Sequence, residues 1–306
     1  MEICVIIITR NRATALDKCL ASITKQTIAP KQVLVVNNNS TDQTQFVITK
    51  YKRLLPIIAI RESRTGIPFA RNTAKKFITG DVAAFLDDDC IASPHWLLSI
   101  QNCFHTYPTT AGVIGESFIT NRNSVCALIE FAYNRRWVLR HINNPNTVNN
   151  ILSGVVIDFK NAAFRRTFIK QFSFSTSAPF GDVGDEDAEI GMRMFQKNQH
   201  ILYNPHMRVT HLYSSRVSRL LMRNFWGGYG DEQLYMRNGI DLSAIGSKQK
   251  TRTWISLCAN IAKRLSFTQK IYFFSLIFIY PFASRIGKVT AKIAWKLSLP
   301  LHIPQR

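Results

Sequence analysis

Apolar residues in the first third of the chain fall into two alternating spacings. Val5 to Ile8 is an unbroken β-branched run, the pattern of a strand covered on both faces, and Leu16, Cys19, Leu20 and Ile23 follow at helical spacing. Gln32 to Val36 predicts a second strand, ending in the polar turn Asn37 to Asp42, and a helix is expected from there to Arg53. Pro56 to Ile60 predicts a third strand, Pro68 the first turn of a helix that Gly80 closes, and Val82 to Leu86 a fourth buried strand. Ser93-Pro94 restarts a helix as N-cap and first helical residue. This β-α-β-α order predicts a mostly parallel sheet with helices on both faces, in which ligands sit beyond the carboxyl ends of the strands. Thr9-Arg10-Asn11, Asn37 to Asp42 and Asp87 to Asp89 all fall at those ends.

Beyond residue 110 the pattern is less regular. A strand is expected at Gly112 to Phe118 and a helix from about Ser124 to Arg140. The cluster Gly184-Asp185-Glu186-Asp187-Ala188-Glu189 opens a helix to about Lys197, its acids placed to suit the positive end of the helix dipole. Met207 to Thr210 is β-like and ends at His211. From Ser218 the chain reads as basic helices, with a 14-residue uncharged run, Ile271 to Ser284, interrupted by Pro281. That run is shorter than the roughly 20 residues a spanning helix needs.

Composition changes this picture in two places. The net charge of +20 (39 basic against 19 acidic residues) calls for an anionic partner, and its distribution is uneven: no acid follows Asp241, while eleven Lys and Arg lie between Lys248 and Arg306. Flanked by Lys263, Arg264, Lys270, Arg285 and Lys288, the apolar run suits a segment lying in the interface of an anionic membrane surface; the other reading is a helical hairpin packed on the rest of the protein. Stacking aromatics are not interleaved with the charge, so no nucleic acid is expected. Six cysteines without a C-x-x-C pair predict free thiols in a reducing compartment, with neither a disulfide framework nor a zinc site. Met1 to Val5 carries no basic segment ahead of its apolar run, which therefore reads as a strand and not as a secretory signal.

Three aspartates at the end of an apolar strand bring at least two carboxylates within reach of one cation, and hard oxygen ligands suit Mg²⁺ or Mn²⁺. An acidic turn capping the next helix is the competing account. The second acidic centre, Asp185 to Glu189, offers a carboxylate that could take the proton from an acceptor hydroxyl, or an ordinary helix cap. Neither G-x-G-x-x-G nor G-x-x-x-x-G-K-[ST] occurs, so the common dinucleotide and P-loop readings lack their phosphate cradles.

With those residues in hand, the chain resembles a family 2 glycosyltransferase of the GT-A fold, in the nucleotide-diphospho-sugar transferase superfamily. Residues 3 to 23 resemble the family's opening strand and helix, with Thr9, Asn11 and Arg12 at the nucleotide-side turn. Val33 to Asp42 resembles its V-V-D-N-x-S-x-D element. Arg64-Thr65-Gly66, Ala70-Arg71-Asn72, Gly80-Asp81 and Phe85 to Asp89 resemble the stretch that ends in the family's D-x-D. Glu186-Asp187-x-Glu189-Ile190-Gly191-x-Arg193 resembles the acceptor-side motif, followed in order by Tyr203-x-Pro205 and Val209-Thr210-His211. The resemblance covers about residues 1–215 and implies an α/β, Rossmann-like catalytic domain there, with residues 216–306 as a basic, partly apolar helical extension.

The resemblance also implies roles. Asp89 would hold a divalent metal, Mg²⁺ or Mn²⁺, with Asp87 and His211 as further metal or diphosphate contacts. Thr9, Asn11, Arg12, Asn37, Arg71, Asp87 and Asp88 would bind the donor nucleotide. Asp187 would be the general base, and Glu186, Glu189 and Arg193 would lie on the acceptor side. The activity implied is inverting transfer from a nucleotide-diphosphate sugar to a glycan or lipid-linked acceptor in cell-envelope or exopolysaccharide synthesis. Its expected place is the cytoplasm, peripherally on the inner face of the cell membrane. Two departures qualify this. Asn37 stands where the family usually has an Asp that accepts a hydrogen bond from the donor base; Asn accepts through its carbonyl but its amide also donates, so UDP is favoured while GDP and TDP stay open. No Q-x-x-R-W occurs, since Tyr133 stands where Gln would precede Arg136-Trp137, so one sugar per encounter is expected. Two rivals are a sugar nucleotidyltransferase, for which Thr9 to Ala13 lacks a glycine-rich loop, and a non-catalytic basic binding protein.

Overall fold

The computed structural model describes residues 1–152, 154–176, 185–239 and 251–297. Strands β1 (Ile3–Thr9), β2 (Gln32–Asn37), β3 (Ile57–Arg61) and β4 (Val82–Leu86) alternate with helices α1 (Ala13–Ile23), α2 (Thr44–Tyr51) and α3 (Ile67–Lys76). Then come β5 (Cys90–Ala92), α4 (Trp96–Thr106), β6 (Gly112–Ile119), α5 (Val125–Arg140), β7 (Asn149–Asn150), a 3₁₀ turn (Gly154–Val156), β8 (Asn161–Arg165) and α6 (Arg166–Ile169). The chain continues with α7 (Asp185–Gln196), β9 (Ile201–His211), α8 (Val217–Asn238), α9 (Thr251–Ala262) and α10 (Phe267–Lys296).

The strands form one nine-stranded sheet in the order β3-β2-β1-β4-β8-β6-β9-β5, with β7 on β9. β3, β2, β1 and β4 pair in parallel, as the alternation with helices requires. Antiparallel neighbours enter with β8, which lies between β4 and β6, and with β5 on β9. Period-two alternation sorts the apolar side chains onto two faces. Val5, Ile7, Val33 and Val35 pack with Leu16, Leu20 and Trp96, while Cys4, Ile6, Leu34 and Val36 pack with Ala70, Phe85 and Phe164 on the other side.

Local chemistry sets several boundaries. The helix expected to start at Ser93-Pro94 starts at Trp96, because the Ser93 carbonyl accepts from Trp96 N at 2.9 Å and from Gln26 Nε2 at 2.7 Å, which makes a turn there. β9 is longer than its β-like stretch suggested and carries an irregularity: its register against β6 slips between Gly115 and Glu116, where Pro205 sits. A proline has no ladder donor and is accommodated at such a break. Asn161 ties the region together, its Nδ2 donating to the Glu116 and Met207 carbonyls, both at 3.0 Å.

The C-terminal part is helical, as expected. Ile271 to Ser284, the uncharged run that Pro281 interrupts, lies inside α10, a continuous helix of 30 residues. Proline removes the donor that Ile277 O would receive. Tyr133 Oη donates to that carbonyl instead, at 3.2 Å, which satisfies the group that would otherwise end the helix. Helices α8 and α10 approach backbone to backbone: a Cβ on Gly228 would lie 2.1 Å from Ser284 O, and one on Gly287 1.9 Å from Phe225 O. The apolar core under α10 is shared with α5, through Ile129, Ala132, Phe273, Leu276 and Tyr280.

Candidate active site

The three polar segments at the strand ends meet, as read from the sequence. Asn38 N donates to Thr9 O at 2.9 Å, Thr41 N to Asn11 Oδ1 at 2.7 Å, and Ala13 N to Asp42 Oδ2 at 2.9 Å, so Asp42 caps α1 from across the cleft. Asn11 adopts φ 51°, the left-handed region that a short amide side chain tolerates. Asn37 Oδ1 accepts from Ser40 N at 2.9 Å, which engages the expected base-recognition side chain in its own turn. Asn38, not singled out from the sequence, is the buried organiser: its side chain donates to Arg64 O at 2.7 Å and accepts from Gly66 N at 2.8 Å, tying this turn to the loop that leads into α3.

At the end of β4 the three aspartates diverge. Asp88 is buried and Asp89 nearly so; Arg12 Nη1 bridges them, at 3.1 Å from Asp88 Oδ1 and 2.6 Å from Asp89 Oδ2. Burial pushes the Asp88 carboxyl up to about 7 against the pull of Arg12. Asp89 is also subject to burial, but His211 and Arg12 outweigh it and hold this carboxyl below the usual carboxylate range. His211 is presented by the β5–β9 pairing, in which Cys90 faces His211, and its Nε2 lies 3.2 Å from Asp89 Oδ1. Arg223 on α8, held by Glu130 of α5, adds to the positive field on Asp89.

These residues fit a divalent cation. Asp89, Cys90 and His211 offer donor atoms within 4.8 Å of one another. Asp89 Oδ1 makes no hydrogen bond of acceptable geometry, and His211 Nδ1 is likewise buried without a partner. Burial raises the Cys90 thiol well above its ordinary value, so the ligands left are a carboxylate and an imidazole, without a thiolate. All six cysteines are free and buried.

The second acidic centre forms around Arg71. This arginine is 4% exposed and pairs with Glu186 Oε1 at 3.1 Å and with Asp187 Oδ1. Its guanidinium rests against an edge-to-face pair of rings, 4.8 Å from Phe159 and 5.4 Å from Phe174. Asn72 holds Phe174 there, donating to its carbonyl at 2.7 Å and accepting from its N at 2.9 Å. Arg71, expected among the nucleotide ligands, is thus engaged with Glu186 and Asp187. Asp187 Oδ2 also accepts from Phe159 N at 3.3 Å. Burial raises the Asp187 carboxyl to about 8, with Arg71 opposing. Helix α7 sits close enough for this because Gly191 meets Gly154: a Cβ on Gly191 would lie 2.1 Å from Gly154 O. Glu189 and Arg193, one turn further on, face each other at 3.8 Å, and Arg193 donates to Ser173 O. Gly184, at the head of the acidic cluster, lies outside the described residues, and so does Asp241.

Asp87 stands between the two centres. Burial raises its carboxyl, and it feels Asp89 and His211 from one side and Arg71 and Asp158 from the other. Near it opens a small cavity of about 40 Å³, lined by Glu116, Asn134, Arg135, Asp158, Lys160 and Tyr213 among others. Lys160 is buried and paired with Asp158, and its carbonyl receives Asp87 N at 3.4 Å. Tyr213 packs edge-on against His211 at 4.3 Å. The cavity therefore adjoins His211 through Tyr213 and Asp87 through Lys160. Sequence reading missed it, since Asp158 and Lys160 belong to no periodic pattern and meet β6 and α5 only through the antiparallel insertion of β8.

The sequence pattern of Glycosyl transferase family 2 matches residues 4–172, more than half of the chain. A glucosyl-dolichyl phosphate glucuronosyltransferase of Haloferax volcanii is 23% identical over 248 residues, which is 75% of this chain and 76% of that relative. The UDP-Glc:alpha-D-GlcNAc-diphosphoundecaprenol beta-1,3-glucosyltransferase WfgD of Escherichia coli is 27% identical over 191 residues, 61% of this chain and 67% of its own. Among solved structures, the mannosyltransferase PcManGT of Pyrobaculum calidifontis, in complex with GDP-Man and Mn²⁺, aligns over 97% of this chain and 86% of its own, at 18% identity and a TM-score of 0.58; that likeness speaks for the fold. Motif order, sheet topology and family pattern agree, and the chain belongs to Glycosyl transferase family 2, with the GT-A fold.

Proposed function

We propose that the protein transfers one sugar at a time, with inversion, from a nucleotide-diphosphate donor to a hydroxyl of a lipid-linked or other glycan acceptor, in cell-envelope or exopolysaccharide synthesis. The observation that carries this reading is the presence of two unlike acid centres on either side of Asp87: Asp89 beside His211, and Asp187 held by Arg71. Relatives named for dolichyl-phosphate and diphosphoundecaprenol substrates support the lipid-linked acceptor.

In this reading residues 1–215 are the catalytic domain. The turns at Thr9 to Arg12 and Asn37 to Asp42 receive the nucleoside, with UDP favoured and GDP or TDP open. A divalent cation, Mg²⁺ or Mn²⁺, would be held by Asp89 and His211 with Asp87 adjacent, and when bound would neutralise charge growing on the departing diphosphate. Arg12 and Arg223 add fixed positive charge on the same side. The acceptor approaches the mouth of the cavity, where Asp158 and Asn134 offer polar partners for a hydroxyl. Asp187 takes the proton of the attacking hydroxyl. Its raised affinity for protons suits a base working near neutral pH. Attack from the side opposite the diphosphate inverts the anomeric centre. Glu186 and Arg71 orient the base; Glu189 and Arg193 stiffen the helix that carries it.

Residues 216–306 bring the enzyme to the inner, cytoplasmic face of the membrane, peripherally: among the described residues no helix is long and apolar enough to cross it. The test is transfer from UDP-, GDP- and TDP-sugars to a polyprenyl-diphosphate-linked sugar, with Mn²⁺ or Mg²⁺. Asp187→Asn should keep nucleotide binding and lose transfer by roughly 10²–10⁴-fold. Unimpaired turnover in that variant would remove Asp187 as the base.

A further inference from the structure

Helix α10 has two apolar faces. Phe273, Leu276, Tyr280, Gly287 and Ala291 are buried towards α5 and α8. On the opposite side Phe274, Phe278, Phe282, Ile286, Val289 and Ile293 recur every three or four residues and are 44% to 72% exposed. At 1.5 Å per residue that outer stripe is about 29 Å long. Along its flank run Arg285, Lys288, Lys292 and Lys296, at the same spacing. The acids near this flank are already matched: Lys288 reaches Asp231 at 3.7 Å and Lys292 reaches Glu232 at 3.5 Å, both on α8. Exposed Lys263 and Arg264 follow α9.

We infer that the outer stripe of α10 is an in-plane contact with an anionic lipid surface, the six apolar side chains entering the acyl boundary and the basic flank lying at the headgroups. Two observations select lipid over other occupants. First, the inner face is committed to α8 through the Gly228 and Gly287 approach, so the helix cannot turn to span a bilayer and offers it one side only. Second, the charge beside the stripe is basic in excess: Asp231 and Glu232 match Lys288 and Lys292, and Arg285 and Lys296 add to them. A second copy docking through a two-fold axis would bring one basic excess against another, whereas an anionic leaflet neutralises it. This deepens the reading of a lipid-linked acceptor by naming the surface that would face it, but its test does not depend on that reading.

The experiment is co-sedimentation of the full chain with phosphatidylglycerol-containing vesicles and with pure phosphatidylcholine vesicles. Wild type should partition to the anionic vesicles at least roughly tenfold better than to the neutral ones. The double variant Phe278→Asp/Phe282→Asp should lose at least roughly tenfold of that binding, the burial of two phenylalanines being forfeited. Phe278→Trp keeps the stripe apolar and guards against a folding artefact; its fluorescence should shift to the blue and be quenched by brominated lipid. Equal binding to neutral vesicles, undiminished binding by the double variant, or fluorescence of Phe278→Trp that brominated lipid leaves unquenched would overturn the inference. So would a wild-type dimer by light scattering that the double variant converts to monomer without change in vesicle binding. Turnover of the double variant on a soluble acceptor, without vesicles, should equal wild type. If no transfer is seen with any donor while vesicle binding behaves as stated, the transferase reading fails and the membrane contact stands.

Discussion

Arg71 on α3 and Asp187 on α7 stand 116 positions apart in the chain and form one buried ion pair. The pair joins the half of the fold that carries the nucleotide-side turns to the helix that carries the candidate base. It also sets how that base titrates. Burial raises Asp187 to about 8 and Arg71 restrains the rise, while Glu186, Asp158 and Asp87 face the same carboxyl and add to it.

A pH profile follows from the sign of these effects. Asp187 works as a base only when ionised, so kcat/KM should climb as pH rises through about 8 and level off above it. Replacing Arg71 by Met removes the lowering influence, and the limb should move to higher pH with a smaller kcat at neutrality. A limb that stays in place in Arg71→Met would show that another group titrates.

The Asp89–His211 pair should govern the metal requirement. Asp89→Ala is expected to abolish Mn²⁺-dependent donor binding. His211→Gln should weaken Mn²⁺ affinity roughly tenfold, as loss of one ligand or its orientation does. Calorimetry with Mn²⁺ alone and with Mn²⁺ plus UDP checks both, and donor binding that survives chelation unchanged would count against the site.

Asp158 should separate acceptor from donor. Asp158→Asn keeps the shape of the cavity wall beside Lys160 but changes its charge. The KM for acceptor should rise several-fold, by roughly the worth of one charge-assisted hydrogen bond, with the Kd for the nucleotide unaltered. An unchanged acceptor KM would place the acceptor elsewhere.

Asn37 should tune the nucleotide. Asn37→Asp retains an acceptor for Ser40 N, which lies 2.9 Å from Asn37 Oδ1, and replaces an amide donor by a second acceptor. UDP binding should tighten by roughly three- to tenfold relative to GDP. Competition binding of the three nucleoside diphosphates reads the outcome.

Tyr133 should hold α10 together. Tyr133→Phe leaves Ile277 O without the hydroxyl that replaces the missing proline donor. A loss of about 1 kcal/mol in unfolding free energy is expected, readable as a lower midpoint in a urea titration with an unchanged slope. Tyr133 occupies the place of the Gln expected in processive relatives, so here it serves the extension.

The first four strands, their helices and the polar ends of β1, β2 and β4 were legible because parallel strands covered on both faces write continuous apolar runs, and their termini write polar turns. The ordered acidic motifs were legible for a similar reason: metal and base chemistry demand carboxylates, and few other residues serve. Asp187 and Asp89 could therefore be named as candidates without the fold. The cavity was not. Asp158, Lys160, Asn134 and Tyr213 come from three separate elements, and only the insertion of β8 between β4 and β6 brings them to one wall.

The C-terminal extension shows the same division. Its charge, its lack of acids after Asp241 and its apolar run are properties of composition and were set by the sequence alone. Whether that run packs on the protein or faces outward was open, and α10 does both. Pro281 marks a helix end by local rules, yet a hydroxyl from α5 satisfies the carbonyl it exposes, and two glycines let α8 approach. Likewise Asn37, Arg71 and the three aspartates were named as residue types, but their partners were decided in three dimensions. Burial sets the cost of each charge and the neighbours set its relief, and both depend on contacts between segments far apart in the chain.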